Sequence, residues 1–121
     1  MSDVTTTELA GRLAEEGLVL LDVRRPEEYH GVVTAPCDPR AGHIPGARNL
    51  DVALLLEARD AAAVHRLVGA PPGTEVIAYC HSGSRSGVAV QVLNAAGYDG
   101  RNYVGSWHEW SRDPGLPAET A

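Results

Sequence analysis

One stretch near the middle of the chain decides the fold: Glu75-Val76-Ile77-Ala78-Tyr79-Cys80-His81-Ser82-Gly83-Ser84-Arg85-Ser86-Gly87. Residues 75–79 form an apolar run that is typical of a strand buried on both faces of a parallel sheet. A helix is predicted to begin near Ser84, because apolar residues then recur at helical spacing, at positions 88, 92, 95 and 96. Cys80 therefore lies at the end of a strand, in a short loop that leads directly into a helix.

The segments on either side repeat this alternation of strand and helix. Residues 18–23 and 102–104 have the composition of two more core strands, and residues 47–50 are a candidate short strand. Two helical stretches are predicted within residues 52–68, and Thr5-Thr6-Thr7-Glu8 has the form of a capping box that opens a helix. We therefore predict an α/β fold with a mostly parallel sheet, whose ligands bind beyond the carboxyl ends of the strands.

The composition limits the class of protein. A chain of 121 residues with 44% hydrophobic content is expected to form one domain, residues 1–121. It has no apolar stretch long enough to span a bilayer, and its first residues lack the pattern of a signal peptide, so a cytoplasmic location is expected. The net charge of −6 argues against a nucleic-acid partner. All ten basic residues are arginine, which excludes mechanisms that need a lysine, such as Schiff-base catalysis.

The loop after Cys80 has the features of an anion site. Its small side chains allow successive amides to turn inward, and Gly83 can adopt the positive φ that such a turn requires. The inward amides and the helix N-terminus favour a thiolate and lower the pKa of the Cys80 thiol. Arg85 adds a positive charge. The alternative is that Cys80 is an inert cysteine of the core.

The remaining cysteine and histidines give no metal motif in the sequence. Neither Cys37 nor Cys80 belongs to a CxxC pair, so a structural zinc site is not expected. Cys37 lies in a proline-rich loop and is interpreted as a free thiol without a role. His30, His65 and His108 have no spacing that is typical of metal binding. We predict neither a metal nor an organic cofactor.

Four segments match, in order, the motifs of the rhodanese family of sulfurtransferases, and the chain resembles that family over nearly its whole length. The matching segments are 20–29, 41–47, 80–86 and 105–110. Residues 103–117 are especially similar to the catalytic C-terminal domain of tandem-domain thiosulfate sulfurtransferases. The resemblance implies a three-layer sandwich, with a mostly parallel central sheet of about five strands and helices on both faces.

The resemblance also implies a reaction. Cys80 takes a sulfur atom from an anionic donor such as thiosulfate and carries it as a persulfide to a thiol or cyanide. Four residues separate Cys80 from Arg85, as in the sulfurtransferases, whereas phosphatases and arsenate reductases of related architecture carry one residue more. The loop count therefore disfavours those two activities. A second alternative is a sulfur-carrier or regulatory binding module, against which the presence of both Cys80 and Arg85 counts.

Several residues are assigned candidate roles around the nucleophile. The residues expected to bind the substrate sulfur within the loop are His81, Ser82, Gly83, Ser84, Arg85 and Ser86. Arg24 is expected to contact the anionic donor, with a surface salt bridge as the alternative. Asp22 is expected to orient the loop or to pair with Arg24, although an acid at that position can also cap a turn. His43 is expected to fix its own turn by bonding backbone.

The sequence allows more than one set of contacts between the protein and the sulfur donor. His81 either lines the mouth of the site or points to water. Some thiosulfate enzymes of the family place a cation where this chain has Glu27 and Glu28. Arg85 is expected to supply the positive charge in its place.

Overall fold

The computed structural model describes residues 3–120, which contain six helices and four strands. In chain order these are α1 (Thr6–Arg12), β1 (Val19–Asp22), α2 (Pro26–Tyr29), β2 (Arg48–Asn49), α3 (Val52–Glu57), α4 (Ala61–Val68), β3 (Glu75–Tyr79), α5 (Ser84–Ala95), β4 (Asp99–Asn102) and α6 (Ser106–Trp110). The predicted α/β alternation is confirmed. The central segment has the predicted bounds, with β3 ending immediately before Cys80 and α5 beginning at Ser84.

The four strands form one parallel sheet in the order β2-β1-β3-β4. This is one strand fewer than the expected number of about five. Beyond β4, the N-terminal segment contributes only a single parallel bridge, between Val4 and Tyr103. Because α1 begins at Thr6, the chain turns into a helix before it can pair further. The strand expected at 102–104 lies earlier, at Asp99–Asn102.

Alternate residues of the strands pack against helices on opposite faces of the sheet, because successive side chains of a strand point in opposite directions. On one face, residues such as Leu21 and Ala78 pack with α3, α4 and α5. On the other face, Leu20 and Tyr79 pack with α1 and with the tryptophans of α6. The fold is therefore the three-layer sandwich that the resemblance implies.

Polar side chains define where several helices begin. The Thr5 hydroxyl accepts a hydrogen bond from the Glu8 amide at 3.1 Å, which is the N-cap half of the predicted capping box. Asp51 and Asp60 accept from the first-turn amides of α3 and α4 in the same way. Such caps are each worth about 0.5–2 kcal/mol, since they satisfy amides that have no partner within the helix.

The C-terminal segment folds back against the domain. The Arg40 guanidinium donates to the Leu116 carbonyl at 2.8 Å, and the Trp110 indole donates to the Pro117 carbonyl at 2.8 Å. Leu116 packs against the core on the α6 face. Within residues 3–120, no helix is both long enough and apolar enough to cross a lipid bilayer.

Candidate active site

The backbone of Cys80 is held by the start of α6. The Cys80 amide donates to the Ser106 hydroxyl at 3.1 Å, and the Trp107 amide donates to the Cys80 carbonyl at 2.9 Å. Ser106 is fully buried and, among the described residues other than glycine, it alone has a positive φ, +56°. Its hydroxyl also donates to the Tyr103 carbonyl at 2.9 Å. This unfavourable backbone conformation places the hydroxyl where it accepts from the Cys80 amide.

The Cys80 sulfur lies in a group of hydrogen-bond donors that we call the cradle: the amides of Ser82, Gly83 and Ser86 and the Ser86 hydroxyl. The Gly83 amide donates to Sγ at 3.0 Å, and the Ser86 hydroxyl donates at 3.4 Å. Burial of Cys80 raises the pKa of its thiol, but the hydrogen bonds from the cradle outweigh burial, so the pKa is lowered from its ordinary value of 9.0. The site therefore favours the thiolate.

Gly83 shapes the cradle. It has φ +97°, as the sequence predicted, and it is the residue that precedes α5. A Cβ atom at this position would lie 2.8 Å from the Val104 carbonyl oxygen, so the space also requires glycine. Because α5 begins immediately afterwards, the partial positive charge of its N-terminus lies beside the sulfur.

Arg85 forms a bidentate salt bridge with Glu28. Its two terminal nitrogens donate to the two Glu28 carboxylate oxygens at 2.8 and 3.2 Å. Burial raises the pKa of Glu28. The hydrogen bonds from the Arg85 side chain and the Arg25 amide, together with the charges of Arg85 and Arg24, outweigh burial and lower the pKa to about 2. The positive charge expected of Arg85 is thus present but is balanced by a carboxylate. The charge on sulfur is stabilised mainly by amides, a hydroxyl and a helix N-terminus.

This arrangement can perform two chemical tasks. A thiolate held by oriented dipoles is a nucleophile, and the same dipoles stabilise an anionic adduct that forms on the sulfur.

Residues 5–113 match the family described as Rhodanese-like domain. The chain belongs to that family. The resemblance inferred from the four segments is therefore confirmed.

Relatives of this rhodanese-like domain are longer proteins for the most part. A thiosulfate sulfurtransferase of Pseudomonas aeruginosa is 40% identical over 119 residues, which cover 92% of this chain but 43% of the relative. A probable 3-mercaptopyruvate sulfurtransferase of the same species is 38% identical over 121 residues, covering 93% of this chain and 42% of the relative. This chain thus spans less than half the length of those curated relatives.

Solved structures give the same relationship. A probable thiosulfate sulfurtransferase superposes with a TM-score of 0.83 at 45% identity, over 97% of this chain and 47% of that one. A human single-domain sulfurtransferase superposes with a TM-score of 0.64 at 33% identity, over 91% of this chain and 95% of that one. A rhodanese-like domain of about this size therefore also occurs as a chain of its own.

Asp22 and Arg24 form a buried pair rather than a binding surface. The Arg24 side chain is 4% exposed, and its Nη2 donates to Asp22 Oδ2 at 2.6 Å and to the Gly42 carbonyl at 2.6 Å. Asp22 also accepts from the Arg24 amide at 3.0 Å. The interpretation that Asp22 pairs with Arg24 agrees with this geometry. The expected contact between Arg24 and a donor anion gains no support from it, because the guanidinium is turned into the protein.

His43 joins its turn to two other segments of the domain. Its Nδ1 lies 2.8 Å from the Tyr29 carbonyl oxygen, and its ring stacks on the Tyr29 ring with centroids 3.7 Å apart. Its backbone forms an antiparallel bridge with Glu119. The ring therefore bonds backbone, as the structural interpretation predicts.

The other loop side chains lie outside the cradle. Ser82 and Ser84 are not buried with the sulfur, and Ser82 contributes its amide. His81 turns away towards Asp38, with Nε2 2.9 Å from Asp38 Oδ2. Of the substrate-binding candidates, the structure brings the amides of Ser82, Gly83 and Ser86 and the Ser86 hydroxyl to the sulfur.

Sequence reasoning missed two contributors to the site, Ser106 and Glu28. Ser106 lies in the C-terminal motif at 105–110, but nothing local indicates that its hydroxyl accepts from the Cys80 amide. Glu28 was noted as an acid in place of a cation, and its partner Arg85 is 57 positions away. The acids at 27 and 28, noted in the sequence as a departure from the family pattern, were the available signal for this ion pair.

Proposed function

We propose that this domain transfers a sulfane sulfur from an anionic donor such as thiosulfate to a thiophilic acceptor, cyanide or a thiol, through a persulfide on Cys80. One observation carries the proposal: the Gly83 amide and the Ser86 hydroxyl both donate to the Cys80 sulfur, and the pKa of the thiol is lowered. The names of the longer relatives support the same class of reaction.

In the first step, the Cys80 thiolate attacks the outer sulfur of thiosulfate. A sulfur–sulfur bond forms to Sγ while the sulfur–sulfur bond of the donor breaks, and sulfite leaves with the bonding electron pair. The negative charge moves to the terminal sulfur of the persulfide. The cradle amides, together with the N-terminus of α5, stabilise that anion in a site from which water is largely excluded.

In the second step, cyanide or the thiolate of an acceptor attacks the terminal sulfur. The new bond forms as the bond to Sγ breaks, and the Cys80 thiolate leaves with its electron pair. Its low pKa makes it a good leaving group as well as a stable resting anion. The products are thiocyanate or an acceptor persulfide, and no external oxidant or reductant is consumed.

Access to the sulfur requires a local movement. Cys80 has no exposed surface, whereas Arg85 and His81 at the rim are partly exposed. A donor therefore reaches Sγ only when side chains around the cradle move, while the backbone of the cradle keeps its position. The short loop between Cys80 and Arg85 leaves room for one added sulfur atom rather than for a tetrahedral phosphate.

The experiment is a thiocyanate assay with thiosulfate and cyanide, run on the parent chain, on Cys80→Ala and on Cys37→Ser in the presence of a chelator. We expect turnover in the parent and in Cys37→Ser, and loss of turnover in Cys80→Ala. Mass analysis should find one added sulfur atom on the Cys80 peptide after exposure to thiosulfate. Equal turnover by the parent and Cys80→Ala would reject the proposal. Parallel assays with 3-mercaptopyruvate compare the donor named for the second relative.

A further inference from the structure

Four side chains with metal-binding atoms converge on the outer side of the active-site loop. Cys37, Asp38, His81 and His108 each offer one ligand atom, and these atoms all lie within 4.8 Å of one another. They come from three separate parts of the chain: the loop after α2, the residue after the nucleophile, and α6. None of them belongs to the cradle around the Cys80 sulfur.

Asp38 occupies the centre of this group. Its side chain is 1% exposed, and its two carboxylate oxygens lie 2.9 Å from His81 Nε2 and 3.4 Å from His108 Nδ1. The Cys37 sulfur lies 3.8 Å from the same carboxylate. A buried carboxylate between two imidazoles and a thiol requires a positive charge nearby, because burial disfavours an unpaired anion.

The His81 nitrogen provides an independent indication. Although Nε2 lies 2.9 Å from Asp38 Oδ2, the direction between them does not suit a hydrogen bond. This buried nitrogen has no hydrogen-bond partner among the described residues. Buried polar atoms without partners are rare in proteins, and a site for an ion is one of the standard reasons for them.

We propose that Cys37, Asp38, His81 and His108 bind a zinc ion. One thiolate, two imidazoles and one carboxylate are ligands that zinc accepts in four-coordinate sites, whereas magnesium and calcium prefer oxygen alone. With bonds of about 2.0–2.3 Å, tetrahedral ligand atoms lie about 3.3–3.8 Å apart. The observed separations extend on both sides of this range, from 2.9 Å between His81 and Asp38 up to a limit of 4.8 Å for the group, so side-chain rotations, chiefly of the exposed Cys37, complete the site.

The charges of the site balance when zinc is bound. The Cys37 thiol releases its proton to solvent on binding, and the resulting thiolate together with the Asp38 carboxylate neutralises the two charges of the ion. Arg112 is the neighbouring cation, with Nη2 2.7 Å from the Cys37 carbonyl oxygen and Nε 3.4 Å from His108 Nε2. Its guanidinium must move away from His108 when the metal binds, so Arg112 weakens zinc affinity.

None of the four ligand side chains donates to the Cys80 sulfur, so the site is distinct from the cradle. Zinc would join the loop around Cys37 to the residue that follows the nucleophile. Binding should therefore raise the midpoint of thermal unfolding, because a ligand that binds only the folded state stabilises it.

The test measures zinc affinity of the full chain carrying Cys80→Ser, which removes the catalytic thiol and makes the result independent of the proposed activity. Competition between the protein and a chromophoric chelator should show one zinc ion per chain. Cys37→Ser and His108→Ala should each weaken binding by more than about tenfold. His30→Ala, which changes an exposed histidine outside the group, should leave the affinity unchanged, and Arg112→Ala should increase it.

Cobalt(II) supplies a second readout. The cobalt-loaded protein should show the intense visible bands of a four-coordinate ion and a thiolate-to-metal charge-transfer band, and Cys37→Ser should abolish the latter. Absence of stoichiometric zinc binding would overturn the proposal. So would binding that survives both Cys37→Ser and His108→Ala, since Asp38 would then serve only as an ion-pair partner for the two histidines.

Discussion

The hydroxyl of Ser86 should control the pKa of the Cys80 thiol. Ser86→Ala removes the side-chain hydrogen bond to Sγ, which spans 3.4 Å, and leaves the Ser86 and Gly83 amides in place. A hydrogen bond to a charged group contributes about 1.5–3 kcal/mol, and the long contact places this one near the lower limit. One pKa unit corresponds to about 1.4 kcal/mol. We therefore expect the thiol pKa of Ser86→Ala to rise by about one unit.

In Ser86→Ala, the rate of sulfur transfer should decrease by a smaller factor than the thiolate fraction does. At a pH below both pKa values, a rise of about one unit reduces the thiolate fraction about tenfold. The more basic thiolate is also more nucleophilic, with a Brønsted coefficient of about 0.4–0.5, which recovers about threefold. The net decrease in the rate constant for persulfide formation is therefore about three- to fourfold.

The assay is the pH dependence of alkylation of Cys80 by iodoacetamide, followed on the Cys80 peptide by mass spectrometry so that Cys37 does not contribute. Ser84→Ala is the matched control, because Ser84 lies in the same loop and its side chain makes no hydrogen bond to another described residue. The reasoning is refuted if Ser86→Ala titrates at the same pH as the parent, or if Ser84→Ala shifts the midpoint equally.

Four further outcomes follow from the structure. Glu28→Gln frees the Arg85 guanidinium for an anionic donor, so the KM for thiosulfate should fall by up to about fivefold, the effect of about 1 kcal/mol; an increased KM contradicts this. Because the pKa of Glu28 is lowered from 4.5 to about 2 in the folded state, its ion pair stabilises the parent fully above pH 4.5. The difference in unfolding free energy between parent and Glu28→Gln, measured by urea denaturation, should therefore vanish as the pH falls from 4.5 through about 2. Gly83→Ala should lower the unfolding free energy by at least about 1–2 kcal/mol, because φ is +97° and the added Cβ meets the Val104 carbonyl. Gly11→Ala, in open space within α1, should instead raise it by about 0.5–1 kcal/mol.

Local signals were sufficient for the centre of the fold and for the position of Cys80 between β3 and α5. The apolar strand, the small-residue loop and the amphipathic helix lie within residues 75–96, so their arrangement follows from short-range preferences. The positive φ of Gly83 was predictable for the same reason. Asp22 and Arg24 are two positions apart at the end of β1, and their pairing was one of the three interpretations offered.

Contacts between distant segments were not predictable from one sequence. The Glu28–Arg85 ion pair and the approach of Asp38 to His81 depend on how α2 and the loop after it pack against the segment that follows β3. The number of strands depends on whether the segment at Val4 pairs with more than one residue, and the start of α1 decides that. Sequence spacing therefore gave no indication that His108 lies beside His81.

The pairing of Arg85 with Glu28 changes how the charge on sulfur is stabilised. If an unpaired arginine carried the effect, added salt would screen it and the thiol pKa would rise with ionic strength. Here the arginine is neutralised by a carboxylate, while the amides of Gly83 and Ser86 touch the buried sulfur directly. Short-range dipoles around a buried atom are screened little by mobile ions. The thiolate and the proposed persulfide should therefore keep their stability across a wide range of salt, and the backbone of the loop should affect the reactivity of Cys80 more than any cation does.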